Sequence, residues 1–155
     1  EPYSIDQWRA DATKGRLLET MACGTAALRA ADGSEQGLVD ALKDNLEHMR
    51  GAHAQRDMKS YYALNIEFHD MLIDAANNAK AKSVYTNLVK EMHLFRRRGL
   101  SIATNIARSI EEHETIVAAV AAGDEAAATR AANEHIKSGF ARYMNILENE
   151  AEGTA

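Results

Sequence analysis

The sequence contains very little that would interrupt a helix. Its 155 residues include a single proline, at position 2, and nine glycines, whereas alanine is abundant. Proline lacks a backbone donor and breaks helices, while alanine has the highest helix propensity of all residues. This composition disfavours an all-β or loop-rich fold, and it predicts an all-α domain of ordinary size.

Cysteine, long apolar runs and excess positive charge are also missing. The only cysteine is Cys23, which excludes an internal disulfide and a cysteine-based zinc cluster. No apolar run is long enough to span a membrane, and no cationic leader followed by an apolar run opens the chain. The formal net charge of −5 argues against nucleic-acid binding by this segment itself. We therefore expect a soluble, cytoplasmic protein with no membrane contact.

Hydrophobic periodicity and capping residues divide the chain into helices. The predicted helices cover residues 5–31, 35–51, 58–76, 80–98, 107–122 and 125–150. Ser109 and Glu112 match the capping box that begins many helices, and Gly15 is expected to kink the first helix or divide it. Because no linker or repeat separates these segments and the connections are short, we predict one domain, residues 1–155, folded as an antiparallel bundle of six to seven helices.

Three of the six histidines are predicted to point into the bundle core. Successive helical residues are about 100° apart, which puts His113 and His135 on the inward faces of their helices. Asn65 and His69 are four residues apart, so they share the inward face of the third helix. The other three histidines do not lie at the centre of such a face: His48, His53 and His93.

These inward polar residues allow two interpretations. A buried polar group without a partner costs roughly 1–3 kcal/mol, and a single inward histidine usually has an ordinary hydrogen-bond partner. Three histidines on three helices, with an asparagine one turn from one of them, instead favour a shared metal ion, because neutral imidazole is the commonest metal ligand in proteins. Spacing alone leaves both interpretations open.

The same residues lie in short segments whose order and spacing match a known pattern. The segments are Asn-Ile-Glu-Phe-His at 65–69 with Ala-Ala-Asn-Asn at 75–78, Glu-His-Glu-Thr-Ile at 112–116 with Gly-Asp at 123–124, Ala-Ala-Asn-Glu-His-Ile at 131–136 and, more loosely, Gly-Arg-Leu-Leu-Glu at 15–19. Over roughly residues 12–147 the chain therefore resembles the FCD domain, the C-terminal effector-binding domain of FadR-subfamily GntR transcriptional regulators.

The resemblance implies a helical bundle around a central cavity that binds a small effector, commonly a carboxylate. In many members a divalent metal, which could be zinc, nickel or a similar ion, lies at the cavity floor, held by an Asp or Asn and three histidines. The corresponding residues here are Asn65, His69, His113 and His135. The resemblance also implies a homodimer that contacts DNA only through an N-terminal winged helix-turn-helix domain, which we expect to lie outside these residues.

Two departures from the family pattern affect the expected ligand site. Asn65 stands where the usual ligand is an aspartate, so an anionic effector would be the natural counter-charge of the metal. The arginine of the first-helix motif falls on Gly15, with Arg16 one residue out of register. The candidate effector ligands are four side chains: Arg16, Arg96, Arg142 and Tyr62.

Two of these arginines also have simpler interpretations. Arg16 is expected to point away from Leu17 and Met21, which we assign to the apolar face of the first helix, and it can pair with Glu19 at the surface. Arg96 belongs to a run of three arginines at a helix C-terminus, where positive charge complements the helix dipole.

Two other functions are compatible with this pattern. A metal-dependent helical-bundle enzyme could use water activated at an open metal position. However, Glu67 and Glu112 are expected about 100° or more from the cavity face, so no general base is evident, and no Glu-x-x-His pair occurs. The other alternative is a ligand-free dimerisation bundle. We favour a non-enzymatic, effector-binding domain of a transcriptional regulator.

Overall fold

The computed structural model describes residues 5–152, without the side chains of residues 5, 91, 94, 95, 151 and 152. This part of the chain is all-α, as predicted. Its helices are α1 (Ile5–Ala31), α2 (Leu38–Ala54), α3 (Met58–Ala75), α4 (Ala79–Gly99), α5 (Ala103–Ala121) and α6 (Glu125–Glu152). None of the described helices has the combined length and apolar character that crossing a bilayer requires.

The two longest helices, α1 and α6, run antiparallel along each other. Trp8 stacks on Phe140 with ring centroids 4.5 Å apart, Arg16 bonds to Asn133, and Gly24 lies against Thr129 further along α1. On its other sides α1 contacts α3, α4 and α5, while α2 packs against α3 and α5. Because α1 touches four other helices, a residue on its inner face can contact side chains from several of them.

Short polar side chains define where several helices begin. The Asp57 side chain accepts a hydrogen bond from the Ser60 backbone amide and begins α3, and the Asn78 side chain does the same for Ala81 in α4. The predicted capping box at Ser109 and Glu112 is wrong, because α5 already begins at Ala103. Ser109 is therefore buried within the helix.

The prediction that Leu17 and Met21 lie on the buried face of α1 is also wrong. Leu17, Met21 and Leu28 are 59%, 42% and 45% exposed, whereas the buried face consists mainly of small residues around Glu19. Gly15 does not interrupt α1. A Cβ atom at Gly15 would lie 2.4 Å from the Met92 sulfur, so glycine permits the close packing of α4 on α1.

Candidate metal and effector site

Three histidines from three helices meet in the centre of the bundle. His69 on α3, His113 on α5 and His135 on α6 are all buried, and one ring nitrogen of each lies within 4.8 Å of the others. The Nε2 atoms of His113 and His135 are 3.1 Å apart, and those of His135 and His69 are 3.4 Å apart. The structure thus brings together the three histidines that periodicity placed in the core.

The spacing of these nitrogens fits a common metal ion. Imidazole nitrogens bind zinc at about 2.0–2.1 Å, so neighbouring ligands at right-angle to tetrahedral positions are about 2.9–3.4 Å apart. Both Nε2–Nε2 distances, 3.1 Å and 3.4 Å, fall in this interval. The residues present therefore fit a divalent ion held by three imidazoles.

Two carboxylates, the buried Glu19 and the partly buried Glu112, orient the imidazole rings toward one another. Glu19 Oε2 lies 3.3 Å from His69 Nδ1, and Glu112 Oε2 lies 2.6 Å from His135 Nδ1. A neutral imidazole carries one proton, and these carboxylates favour its location on Nδ1, which leaves a lone pair on each Nε2. Two lone pairs facing each other inside the protein would repel, and a cation between them removes that repulsion.

Burial keeps these imidazoles in the form that binds metals. Burial and the nearby Arg96 lower the pKa of His69 to about 4, despite the opposing effect of Glu19. Burial and the neighbouring histidines hold the pKa of His113 well below its usual value. At neutral pH both rings are therefore uncharged and available as ligands.

Glu19 contacts the histidine cluster, and the sequence pattern had assigned it only a surface pairing with Arg16. Its carboxylate is 2% exposed and accepts hydrogen bonds from Tyr85, at 2.5 Å, and from Arg96, in addition to its contact with His69. Burial opposes ionisation, but Arg96 and His69 outweigh it and keep the pKa of Glu19 well below its usual value. The sequence signal was the row of small residues on the same face of α1, Gly15, Ala22 and Ala26.

Glu112 contacts the histidine cluster, although it does not line the cavity itself. The Cβ atom of Glu112 points about 100° away from that of His113 around α5, but the long side chain of Glu112 reaches α6. There Arg142 donates to Oε1 at 2.8 Å and to Oε2 at 3.0 Å, and His135 provides the third contact. Burial raises the pKa of Glu112, but the hydrogen bonds from His135 and Arg142 prevail and lower it to about 2. A carboxylate so fully engaged is a fixed hydrogen-bond acceptor rather than a free general base.

A cavity of about 270 Å³ opens beside the histidines. Asn65, His69 and His135 line it, with Asn65 one turn before His69 on α3. The candidate effector ligands Arg16, Arg96 and Arg142 line it as well, together with an apolar wall that includes Trp8, Met92 and Phe140. The combination of an apolar wall and a few convergent polar groups is typical of small-molecule sites.

The fourth candidate effector ligand, Tyr62, does not line this cavity. Its hydroxyl donates to the Arg97 carbonyl oxygen at the exposed side of the bundle. Arg16 is also placed differently from the simpler interpretation. It donates to the Asn133 side-chain oxygen at 2.7 Å, while the carboxylate of Glu19 is held by Arg96.

Several buried polar atoms near the histidines lack a partner among the described residues. They include the hydroxyls of Ser109 and Tyr61 and the Nδ1 atom of His113. Ser109 lines the cavity. Unsatisfied buried groups are costly, and a ligand or water in the cavity would satisfy the hydroxyl of Ser109.

Comparison with known families agrees with this architecture. The model of the FCD domain family matches residues 16–138, which is most of the chain. A search of the curated proteins gave no match. FCD domains are regulatory, effector-binding domains of GntR-family transcription regulators, and they are not an enzyme family. With its all-α fold and a match over residues 16–138, the chain belongs to the FCD domain family.

Proposed function

We propose that this domain senses a small carboxylate that binds beside a divalent metal in the central cavity. The observation that carries the proposal is the convergence of three histidine Nε2 atoms, two of them from residues that line a cavity which also presents arginines. Asn65, His69, His113 and His135 would hold the metal. A set of imidazoles and an amide oxygen suits zinc, nickel or a similar ion.

When bound, the metal supplies positive charge and open coordination positions for oxygen ligands. The chain's own residues do the remaining work. Arg96 and Arg142 keep the carboxylates of Glu19 and Glu112 in place behind the histidines, and the Ser109 hydroxyl can donate to an effector oxygen. The apolar wall excludes water from the carbon skeleton of the effector, which strengthens the polar contacts.

The cavity is well placed to couple effector binding to the arrangement of the helices. Its wall includes residues from α1, α3, α4, α5 and α6. A ligand that binds one arrangement of these helices more tightly increases the population of that arrangement. In a FadR-subfamily GntR regulator this shift would change DNA binding through the winged helix-turn-helix domain, by no more than the differential affinity of the effector.

We expect the effector to bind more tightly when the metal is bound. Calorimetric titration of a carboxylate panel, such as lactate, malate and citrate, should give at least one ligand whose affinity is about tenfold or more higher for the metal-loaded protein than for the chelator-treated protein. The reason is that the carboxylate of the effector supplies the negative charge next to the metal that the neutral Asn65 does not. Equal affinity in both forms would contradict a shared metal and effector site, and a panel that binds neither form would contradict the sensing function.

We propose that the exposed apolar face of α1 forms the interface of a homodimer. Leu17, Met21 and Leu28 are exposed and lie on one face of α1, which is an apolar surface suited to a second copy of the chain. Replacing Leu17 and Met21 together by glutamate should halve the mass measured by light scattering. Ile102→Asp changes another exposed apolar residue, at the N-cap of α5, and should leave the dimer intact. If the double variant keeps the dimer mass, this face is not the interface.

A further inference from the structure

The charges that line the cavity are of one sign. Its described lining contains four cationic side chains, Arg16, Arg96, Lys137 and Arg142, and no carboxylate. Glu19 and Glu112 lie behind this wall, where they face the histidines. A ligand inside the cavity therefore meets cationic side chains, and no carboxylate of the described lining.

Only one of the three arginines keeps its charge available for a ligand. Arg96 is paired with Glu19, and Arg142 is paired with Glu112 through two hydrogen bonds. Arg16, by contrast, donates to the neutral side-chain amide of Asn133, and no described carboxylate lies within ion-pair distance of it. Lys137 is largely exposed and lies 3.7 Å from Glu134.

Arg16 and the histidines are at different places on the cavity wall. Arg16 lies about one helical turn before Glu19 on α1, and Glu19 is the residue that reaches His69. The lining also includes apolar side chains, among them Met92 from α4 and Phe140 from α6. The cavity volume of about 270 Å³ suits a small-molecule ligand.

We propose that the effector is a short dicarboxylate, with one acidic group at the histidine cluster and the second bound by Arg16. This proposal rests on the proposed sensing function and deepens it. A divalent ion and Arg16 together add about three positive charges that no described carboxylate of the cavity wall offsets, and one monocarboxylate neutralises only part of them. The guanidinium of Arg16 can bind the second carboxylate through two parallel hydrogen bonds. The hydroxyl of Ser109, buried in the wall, is a further possible donor to the ligand.

The test compares acids that differ only in the second carboxylate. Calorimetry on the metal-loaded protein would use the pairs succinate and butyrate, malate and 2-hydroxybutyrate, and 2-oxoglutarate and 2-oxovalerate. For at least one pair the dicarboxylate should bind about tenfold or more tightly, because a hydrogen-bonded charge pair is lost with the second carboxylate. Arg16→Gln should remove this preference, Arg16→Lys should keep part of it, and Arg9→Gln, an exposed arginine on the same helix, should keep all of it.

The outcomes distinguish the inference from the function on which it rests. Equal binding of both members of every pair, or an undiminished preference in Arg16→Gln, overturns the dicarboxylate assignment and leaves the carboxylate-sensing function intact. If the metal-loaded wild-type protein binds no member of any pair, both proposals fail.

Discussion

Replacing His113 by glutamine is expected to lower the zinc or nickel affinity of the domain by more than about a hundredfold. His113 is fully buried in the histidine cluster, with its Nε2 atom 3.1 Å from that of His135. Loss of a residue that merely orients a ligand typically costs about 10–100-fold in metal affinity, and loss of a ligand costs more. Competition with a chromophoric chelator measures this change directly.

The same variant should lose most of the stabilisation that metal provides. At a metal concentration about a thousandfold above Kd, binding stabilises the folded state by about 4 kcal/mol, and a hundredfold weaker site leaves only about 1.4 kcal/mol. The matched control is His48→Gln, which changes an exposed histidine on α2. His48→Gln should bind metal as tightly as the wild type. If His113→Gln also does so, the three-histidine site is wrong.

Glu19→Gln is expected to destabilise the domain by about 3 kcal/mol even without metal. The substitution leaves Arg96 without its anionic partner in a mostly buried position, with 18% of its side chain exposed. Breaking a buried ion pair from one side typically costs about 3–5 kcal/mol, and the partial exposure of Arg96 favours the lower end. Urea unfolding in the presence of a chelator measures this loss separately from metal binding.

A surface ion pair is the appropriate control for this prediction. Glu114→Gln removes a carboxylate that is 42% exposed and pairs with Arg50, and it should cost less than about 1 kcal/mol. Replacing Glu19 and Arg96 together by leucine and methionine should restore much of the stability that Glu19→Gln loses, because no unpaired charge remains. Similar losses for Glu19→Gln and Glu114→Gln would contradict a buried network that holds the bundle together.

Periodicity located the inward histidines because their helices carry strong apolar stripes. His113 lies among large apolar residues of α5 such as Ile106, Ile110 and Val117, so the direction of its side chain follows from helical angles alone. His69 is one turn from Asn65 on a similarly apolar face of α3. The family resemblance then provided a chemical interpretation of these residues that angles do not contain.

The buried face of α1 could not be predicted in the same way, because its large apolar residues do not mark the side that is buried. The large apolar residues Leu17 and Met21 face outward, while the inner face combines Gly15 and small residues with the charged Glu19. Only the partners of Glu19 on other helices make its burial favourable, and those partners are distant in the sequence. Assigning the buried face of α1 by its large apolar residues therefore gives the wrong face.

The contact of Glu112 with His135 could not be predicted from helical angles either. Helical angles describe where a Cβ atom points, but a glutamate side chain is long enough to reach a neighbouring helix. The position of His135 and Arg142 on α6, which only the tertiary structure specifies, determines where the carboxylate of Glu112 ends. The same limit applies to Ser109, whose spacing to Glu112 resembles a helix start although both residues lie inside α5.

X-ray absorption spectroscopy of the zinc- or nickel-loaded domain tests the central claim most directly. We predict one tightly bound ion per chain, with the scattering signature of three imidazoles at about 2.0–2.1 Å and additional oxygen ligands. In His113→Gln the imidazole contribution should fall, while His48→Gln should leave the spectrum unchanged. A spectrum dominated by oxygen ligands, with one imidazole or none, would contradict a metal centre formed by His69, His113 and His135.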